Sequence, residues 1–459
     1  MQQRARFSHR QAGLLALVAI GLGPACSQDG PLSDEEMVQL RKLMLPASGL
    51  APDPSNVYGD YLNAAQLGKL LFFETRFSGA LGPYNLYPTN GALGNVSEAG
   101  KVSCASCHDP LTAGADRRSL PPATSLGVSY TRRNAPTVIN AAYSPLWQFW
   151  DGRADSLWSQ ALSPPEGPDE CAGTRVGVAL VLYYHYRTAF EEVFGAGALP
   201  DDLQDTERFQ ADARPGVVDI DPADRALVNG IYANFGKAIA AYERRLVSTA
   251  FKPSPFEAFM AGDASAMSPA AIRGARLFVG RAGCAECHSG SMFSDFGFHN
   301  IGVPQTGQYP PATDDGRSGG LYGGENVVTN IFNRAGDFSD DKSITKGDHL
   351  QPTQPPRLTI GQFKTPSLRN VSKTAPYMHD GVYQTLWEVV NHYNFGGSTG
   401  PYSGTKDPAL APLLLTDGEL GDLVEFLRAL DDGEPLDTDD FDQWDGDPQG
   451  LLGKPMLPD

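Results

Sequence analysis

Apolar residues recur at helical spacing in only a few places along this chain, and long polar stretches separate them. Ala12 to Leu22 form a short apolar run behind Arg4, Arg6 and Arg10. Residues 27–55 are polar and proline-bearing, as suits a tether. Leu67, Leu70, Leu71 and Phe72 fall on one side of a helix expected over Ala64–Phe73. From Ser78 to Gly100 the chain is rich in Gly, Asn, Pro and Tyr and reads as an extended loop. Leu227, Ile231, Phe235, Ile239, Tyr242 and Leu246 then recur at spacings of three and four, which predicts a long amphipathic helix. Pro253 and Pro255 end that pattern and mark a domain boundary. Ser268-Pro269 supplies a cap and first turn for a helix to Phe278. Residues 303–361 are dense in Gly, Pro, Asp and Thr and predict a long loop over a working surface. Thr385 with Glu388, and Thr416 with Glu419, are capping boxes for helices reaching Tyr393 and Leu430. Strand-type alternation is scarce. The expected fold is mainly α, with long loops.

Bulk properties narrow the setting. A chain of 459 residues makes two domains the default. The basic start and the short apolar run after it suit an export signal, being too short to span a bilayer as a helix. Cys26 follows in Leu22-Gly23-Pro24-Ala25-Cys26, where a bacterial lipoprotein carries its lipidated residue, although Gly23 and Pro24 depart from the usual pattern. The expected location is periplasmic, with a lipid anchor at Cys26 or ordinary signal cleavage as the alternatives. The formal net charge of −18 argues against a nucleic-acid partner, because phosphate binding needs a basic face. Nine acids between Asp431 and Asp447 read as a solvated tail. The division is therefore 1–25 signal peptide, 26–55 tether, 56–252 and 253–432 as two domains, and 433–459 acidic tail.

The chemistry lies in two copies of Cys-x-x-Cys-His. One is Cys104-Ala105-Ser106-Cys107-His108, the other Cys284-Ala285-Glu286-Cys287-His288. This is the attachment pattern of a c-type haem: two thiols reach the two vinyl groups of one porphyrin, and the next residue faces the iron. A zinc ribbon would bring two Cys pairs within about 15–20 residues of each other, whereas these begin 180 residues apart. A redox Cys-x-x-Cys needs no His after it. Cys171 is left without a partner and reads as a small buried residue. Two covalently bound haems c, one in each of two cytochrome c-like domains, are the expected cofactors.

Longer motifs add a family resemblance. Leu67-Gly68-Lys69-Leu70-Leu71-Phe72-Phe73, Arg133-Asn134-Ala135-Pro136-Thr137-Val138 and Phe149-Trp150-Asp151-Gly152-Arg153-Ala154 stand in the order found in bacterial di-haem cytochrome c peroxidases and their MauG-type relatives. Phe363-Lys364-Thr365-Pro366-Ser367-Leu368-Arg369-Asn370-Val371 and Thr374-Ala375-Pro376-Tyr377-Met378-His379-Asp380-Gly381 complete the series. The resemblance runs from about residue 64 to 430, and residues 78–100 and 310–360 fall outside it.

The resemblance implies that H₂O₂ reacts at the His108 haem, with Glu170 and Gln160 as the catalytic polar residues. Trp150 matches the family's Trp between the two haems. The position of the His that closes the first iron in some members is Val128, which cannot bind iron. The ligand opposite His288 is expected at Tyr393, as in MauG-type members, with Met378 and His392 as competitors. Asn134, Thr374 and Pro376 match a calcium site. The implied function is a peroxidase-type oxidoreductase drawing electrons through the His288 haem from a small cytochrome c or cupredoxin. The alternatives are a MauG-like enzyme oxidising Trp or Tyr of a protein substrate, and a non-catalytic di-haem electron carrier.

Overall fold

Two pairs of crossing helices organise the chain, and each crossing is made at a glycine. A computed structural model describes residues 30–83, 93–116, 118, 123–205, 207–209, 220–324, 326–345, 349–436 and 450–458. In the first pair, the helix Leu62–Phe73 lies across the helix Pro222–Glu243. A side chain at Gly68 would overlap the Ala238 carbonyl, so glycine permits the close approach. In the second pair, Pro269–Val279 crosses Asp417–Arg428, and a side chain at Gly274 would overlap the Asp422 carbonyl. Each pair includes the helix that precedes one Cys-x-x-Cys-His motif.

The helix ends follow the chemistry read from the sequence. Ser268 caps Pro269–Val279 through Ala271 N–H. Thr385 and Thr416 form capping boxes with Glu388 and Glu419, starting Leu386–Asn394 and Asp417–Arg428. The helices Arg175–His185 and Arg187–Phe194 were not anticipated. They pack Val176, Val178, Leu182 and Phe190 into the first core. Among the described residues the sheet content is one antiparallel pair of two-residue strands, Phe298–His299 with Phe363–Lys364. The fold is mainly helical.

Buried apolar side chains form two main clusters. One runs from Ala64 to Phe251 and takes in Phe332, Leu451 and Leu452. The other gathers Leu40, Leu43 and residues from Phe256 to Leu430. Two terminal expectations change accordingly. The 26–55 stretch is not simply a tether: Asp34–Arg41 is a helix whose Leu40 is buried, and buried Arg369 donates to the Leu43 carbonyl (3.0 Å) and to Glu257 (2.7 Å). Nor is all of 433–459 solvated, because Leu451 and Leu452 are buried and Tyr242 donates to the Leu451 carbonyl (2.9 Å). In both cases a few apolar residues outweigh the polar composition around them. The signal run and Cys26 lie outside the described residues, as does most of the acidic segment.

The crossings give a direct test. Gly274→Ala should destabilise the fold by at least about 1–3 kcal/mol, the range for forcing atoms into a filled core. Gly230, on Pro222–Glu243, has open space where a Cβ would sit. Gly230→Ala should be neutral or stabilising by up to about 1 kcal/mol. Denaturant midpoints of the two variants would then move in opposite directions, or only the first would move.

Candidate haem sites

The first motif is one helical turn. Cys104–Cys107 are helical and Ser103 caps the turn, so both thiols stand on one short element with His108 at its end. Burial pushes the His108 imidazole down to about 4, partly offset by the Gly114 and Pro136 backbone. Among the described residues its buried Nδ1 makes no hydrogen bond of good geometry. Burial also raises the Cys107 thiol to about 12, with Asp116 adding to the rise, Arg118 opposing it and Glu170 adding a further part. Glu170 acts on Cys104 too, after burial, Glu243 and Cys107. The Glu170 carboxylate therefore sits within electrostatic reach of both first-site thiols.

The backbone around Glu170 explains that position. Val128 N–H donates to the Glu170 carbonyl (2.7 Å), and Ser129 N–H to the Asp169 carbonyl (3.2 Å). A side chain at Gly127 would strike the Glu170 carbonyl, so the loop can close only with glycine there. The Glu170 carboxylate itself lies over Gly167. Val128 is thus beside Glu170 and buried in the first core. Gln160 ends the turn Leu157–Gln160 and is half-buried. A further acid enters from the long helix: Glu243 is buried, one carboxylate oxygen has no partner, and burial pushes it up to about 8.

The second motif opens on a cavity of about 340 Å³. Cys284, Cys287, His288 and Tyr393 all line it. His288 donates from Nδ1 to the Phe293 carbonyl (2.8 Å), which fixes the ring and leaves Nε2 for a metal. Burial raises the Tyr393 phenol, and the nearby Cys284 and Cys287 raise it further. The neighbouring His392 is turned elsewhere, held between the Tyr383 hydroxyl (3.0 Å) and the Ile301 carbonyl (2.9 Å). Met378 also lines the cavity, at a backbone φ of 72°. Two thiols, an imidazole with a free nitrogen and an enclosed apolar space fit a haem here. The first site offers the same donor set on one helical turn.

Trp150 lines the same cavity and donates from its indole to the Asn134 carbonyl (2.8 Å). Asn134 in turn takes the His379 carbonyl on its N–H (2.8 Å) and the Pro376 carbonyl on its side-chain amide (2.8 Å). Thr374 is on the same wall. The turn carrying Trp150 is held by charge. Arg133 forms a fork with Asp314 (2.7 and 2.8 Å) and reaches Asp151 (2.6 Å). These neighbours hold Asp151 well below the usual carboxylate range against the cost of burial, with Arg133 the chief cause and Arg153 the next. Arg317 donates to the Asp151 and Gly152 carbonyls (3.1 and 2.9 Å) and packs against Trp147 and Phe298. A side chain at Gly152, where φ is 68°, would collide with both Arg317 and Phe298.

Sequence reasoning missed Asp314, Arg317, Glu243 and Lys364. Arg133 and Asp314 meet across 181 residues, so no local spacing marks the pair. Asp314 and Arg317 also show what part of the 303–361 loop does: it clamps the Trp150 turn.

Known proteins resemble this chain over most of its length. The family model for di-haem cytochrome c peroxidase matches residues 63–265. Cytochrome-c peroxidase IdrP1 of Denitromonas iodatirespirans is 36% identical over 378 residues, 82% of this chain and 83% of that protein. Methylamine utilization protein MauG of Methylorubrum extorquens is 31% identical over 368 residues, 79% of this chain and 77% of that protein. In fold, the chain resembles the diheme peroxidase BthA from Burkholderia thailandensis, with a TM-score of 0.57 at 23% identity, over 90% of this chain and 94% of that one. Kinship at this level makes the chain a haem oxidoreductase rather than a bare carrier, with covalently bound haem c. The chain belongs to the di-haem cytochrome c peroxidase and MauG family.

Proposed function

We propose that this chain is an exported peroxidase-type enzyme in which H₂O₂ reacts at the His108 haem and electrons pass through the His288 haem. The observation that carries this reading is the inequality of the two sites. Beside the first motif stand a carboxylate, Glu170, and an apolar side chain, Val128. Facing the second motif stands a phenol, Tyr393. A haem bound there would supply redox chemistry toward peroxide. Glu170 holds and moves the proton between the two peroxide oxygens, and Gln160 offers an amide donor to the developing charge. Val128, an apolar side chain, would offer the first iron no ligand at that position. Tyr393 would offer the second haem a hard oxygen ligand, with the bound metal drawing off the proton that burial otherwise favours. Trp150 lies on the path between the sites, and each half forms a haem domain.

Two observations favour the MauG-like branch, in which the electrons come from Trp or Tyr of a docked protein. They are Val128 at the position of a blocking His, and Tyr393 where a Met would serve a simple electron-transfer haem. The peroxidase branch draws instead on a small cytochrome c or cupredoxin. We assign Asn134, Thr374 and Pro376 to a calcium ion, since an amide oxygen and backbone carbonyls are hard ligands; the Asn134 amide, which here donates to the Pro376 carbonyl, would turn its oxygen to the ion. The exported protein is periplasmic, with Cys26 as the site of a lipid anchor. Among the described residues no helix is long and apolar enough to cross a membrane.

The test is stoichiometric H₂O₂ added to the purified diferric protein, followed by optical and EPR spectra. Reaction without prior reduction is expected. Oxidising capacity that outlasts the added peroxide and is spent on an added protein would select the MauG-like branch. No reaction until one electron has been supplied would sink the open first site.

A further inference from the structure

Lys364 is a half-buried cation with no counter-ion among the described residues. It is the second residue of the strand Phe363–Lys364, and its N–H donates to the Trp150 carbonyl (2.7 Å), so its backbone is fixed. Its side chain lines the cavity of the second site, and burial pushes the ammonium down to about 8. Its ammonium stands over the Phe296 ring, whose centroid is 5.4 Å from Nζ. Other enclosed cations are compensated. Arg133, Arg369 and Lys237 each meet a carboxylate at 2.7 Å, and Arg317 meets two backbone carbonyls. No carboxylate among the described residues pairs with Lys364.

An ammonium drawn partly out of water into an apolar cavity is stabilised when an anion accompanies it. The side chains lining this cavity with Lys364 include three acids: Asp314 and Asp407 are already engaged, by Arg133 and by His299, and Glu286 is exposed within the second motif. A haem c brings two propionate carboxylates on the porphyrin edge opposite its thioethers. We propose that Lys364 is the counter-ion of a propionate of the second haem, so that its carboxylate edge faces Lys364 and Trp150 while its other edge faces Cys284 and Cys287. This rests on the reading that the second motif carries a haem. Lys364 is then a positioning residue: it selects which way the haem enters the cavity. Its positive charge also favours the reduced haem, because an added electron is attracted to it.

The test is potentiometry on the holoprotein, read as separate optical transitions of the two haems. Lys364→Met should shift the second haem toward the oxidised form by about tenfold at fixed ambient potential, a fall of about 59 mV for a one-electron couple. Lys364→Arg should restore most of it, and the first haem should hold its potential in both variants. Haem content is measured first. Fewer than two haems in the parent protein would overturn the reading of the second site itself. Two haems, with the second potential unmoved in Lys364→Met, would overturn the role of Lys364 alone. Should that variant fail to retain haem, a crystal structure of the parent holoprotein decides. A propionate oxygen at about 3 Å from Nζ supports the pairing, and both propionates turned away overturn it.

Discussion

Glu170→Gln is expected to slow the reaction with H₂O₂ by about 10²–10⁴-fold, the usual contribution of a positioned acid–base group. Gln keeps the shape and the hydrogen-bonding reach of Glu, so the loop that clamps Val128 against the Glu170 backbone is undisturbed. What it loses is the ability to take a proton from one peroxide oxygen and deliver it to the other. Both haems should remain attached, and the spectrum of the resting protein should match that of the parent. Stopped-flow mixing with peroxide measures the rate. A rate within a factor of about three of the parent would show that no proton passes through Glu170. In that case Glu243 is the next group to examine, since it is a buried acid beside the same motif with an unpartnered oxygen.

Tyr393→Phe should change the spectrum of the second haem and raise its potential. The phenol oxygen is the group removed, and the ring remains to fill the wall of the cavity. An anionic oxygen ligand stabilises ferric iron, so its loss favours the ferrous form. His392→Ala serves as the comparison. His392 is occupied by the Tyr383 hydroxyl and the Ile301 carbonyl, so its removal should weaken packing and leave the second haem's spectrum in place. If Tyr393→Phe instead leaves the optical and EPR features of that haem unaltered, Tyr393 is not the ligand. Met378, on the same cavity wall, then takes precedence.

The contrast between those two residues shows how far local periodicity reaches. Successive helical positions are turned about 100° apart, so only one of His392 and Tyr393 can face the site. The sequence favoured Tyr393 by motif register. In the structure two hydrogen bonds hold His392 elsewhere, and Tyr393 lines the cavity. The capping boxes at Thr385 and Thr416 behaved similarly, because a cap is a contact between residues three apart and can be read directly. The helices Arg175–His185 and Arg187–Phe194 escaped notice. The tether and tail were misjudged for a related reason: their average polarity hid Leu40, Leu43, Leu451 and Leu452, whose burial depends on distant partners.

By itself, then, the sequence determined whatever rests on short-range covalent spacing and helical period. That covers two Cys-x-x-Cys-His turns, the helices leading to them, the caps at Ser268, Thr385 and Thr416, and a mainly helical chain. Only the tertiary structure decided the rest. It put the Glu170 carboxylate near both thiols of the first motif, brought Asp314 to Arg133, set Arg317 against the Trp150 turn, and left Lys364 unpaired in the cavity of the second motif. These pairings join residues far apart in the chain, whose energies are set by enclosure and by the charges that fold around them. Neither quantity exists until the helices have crossed.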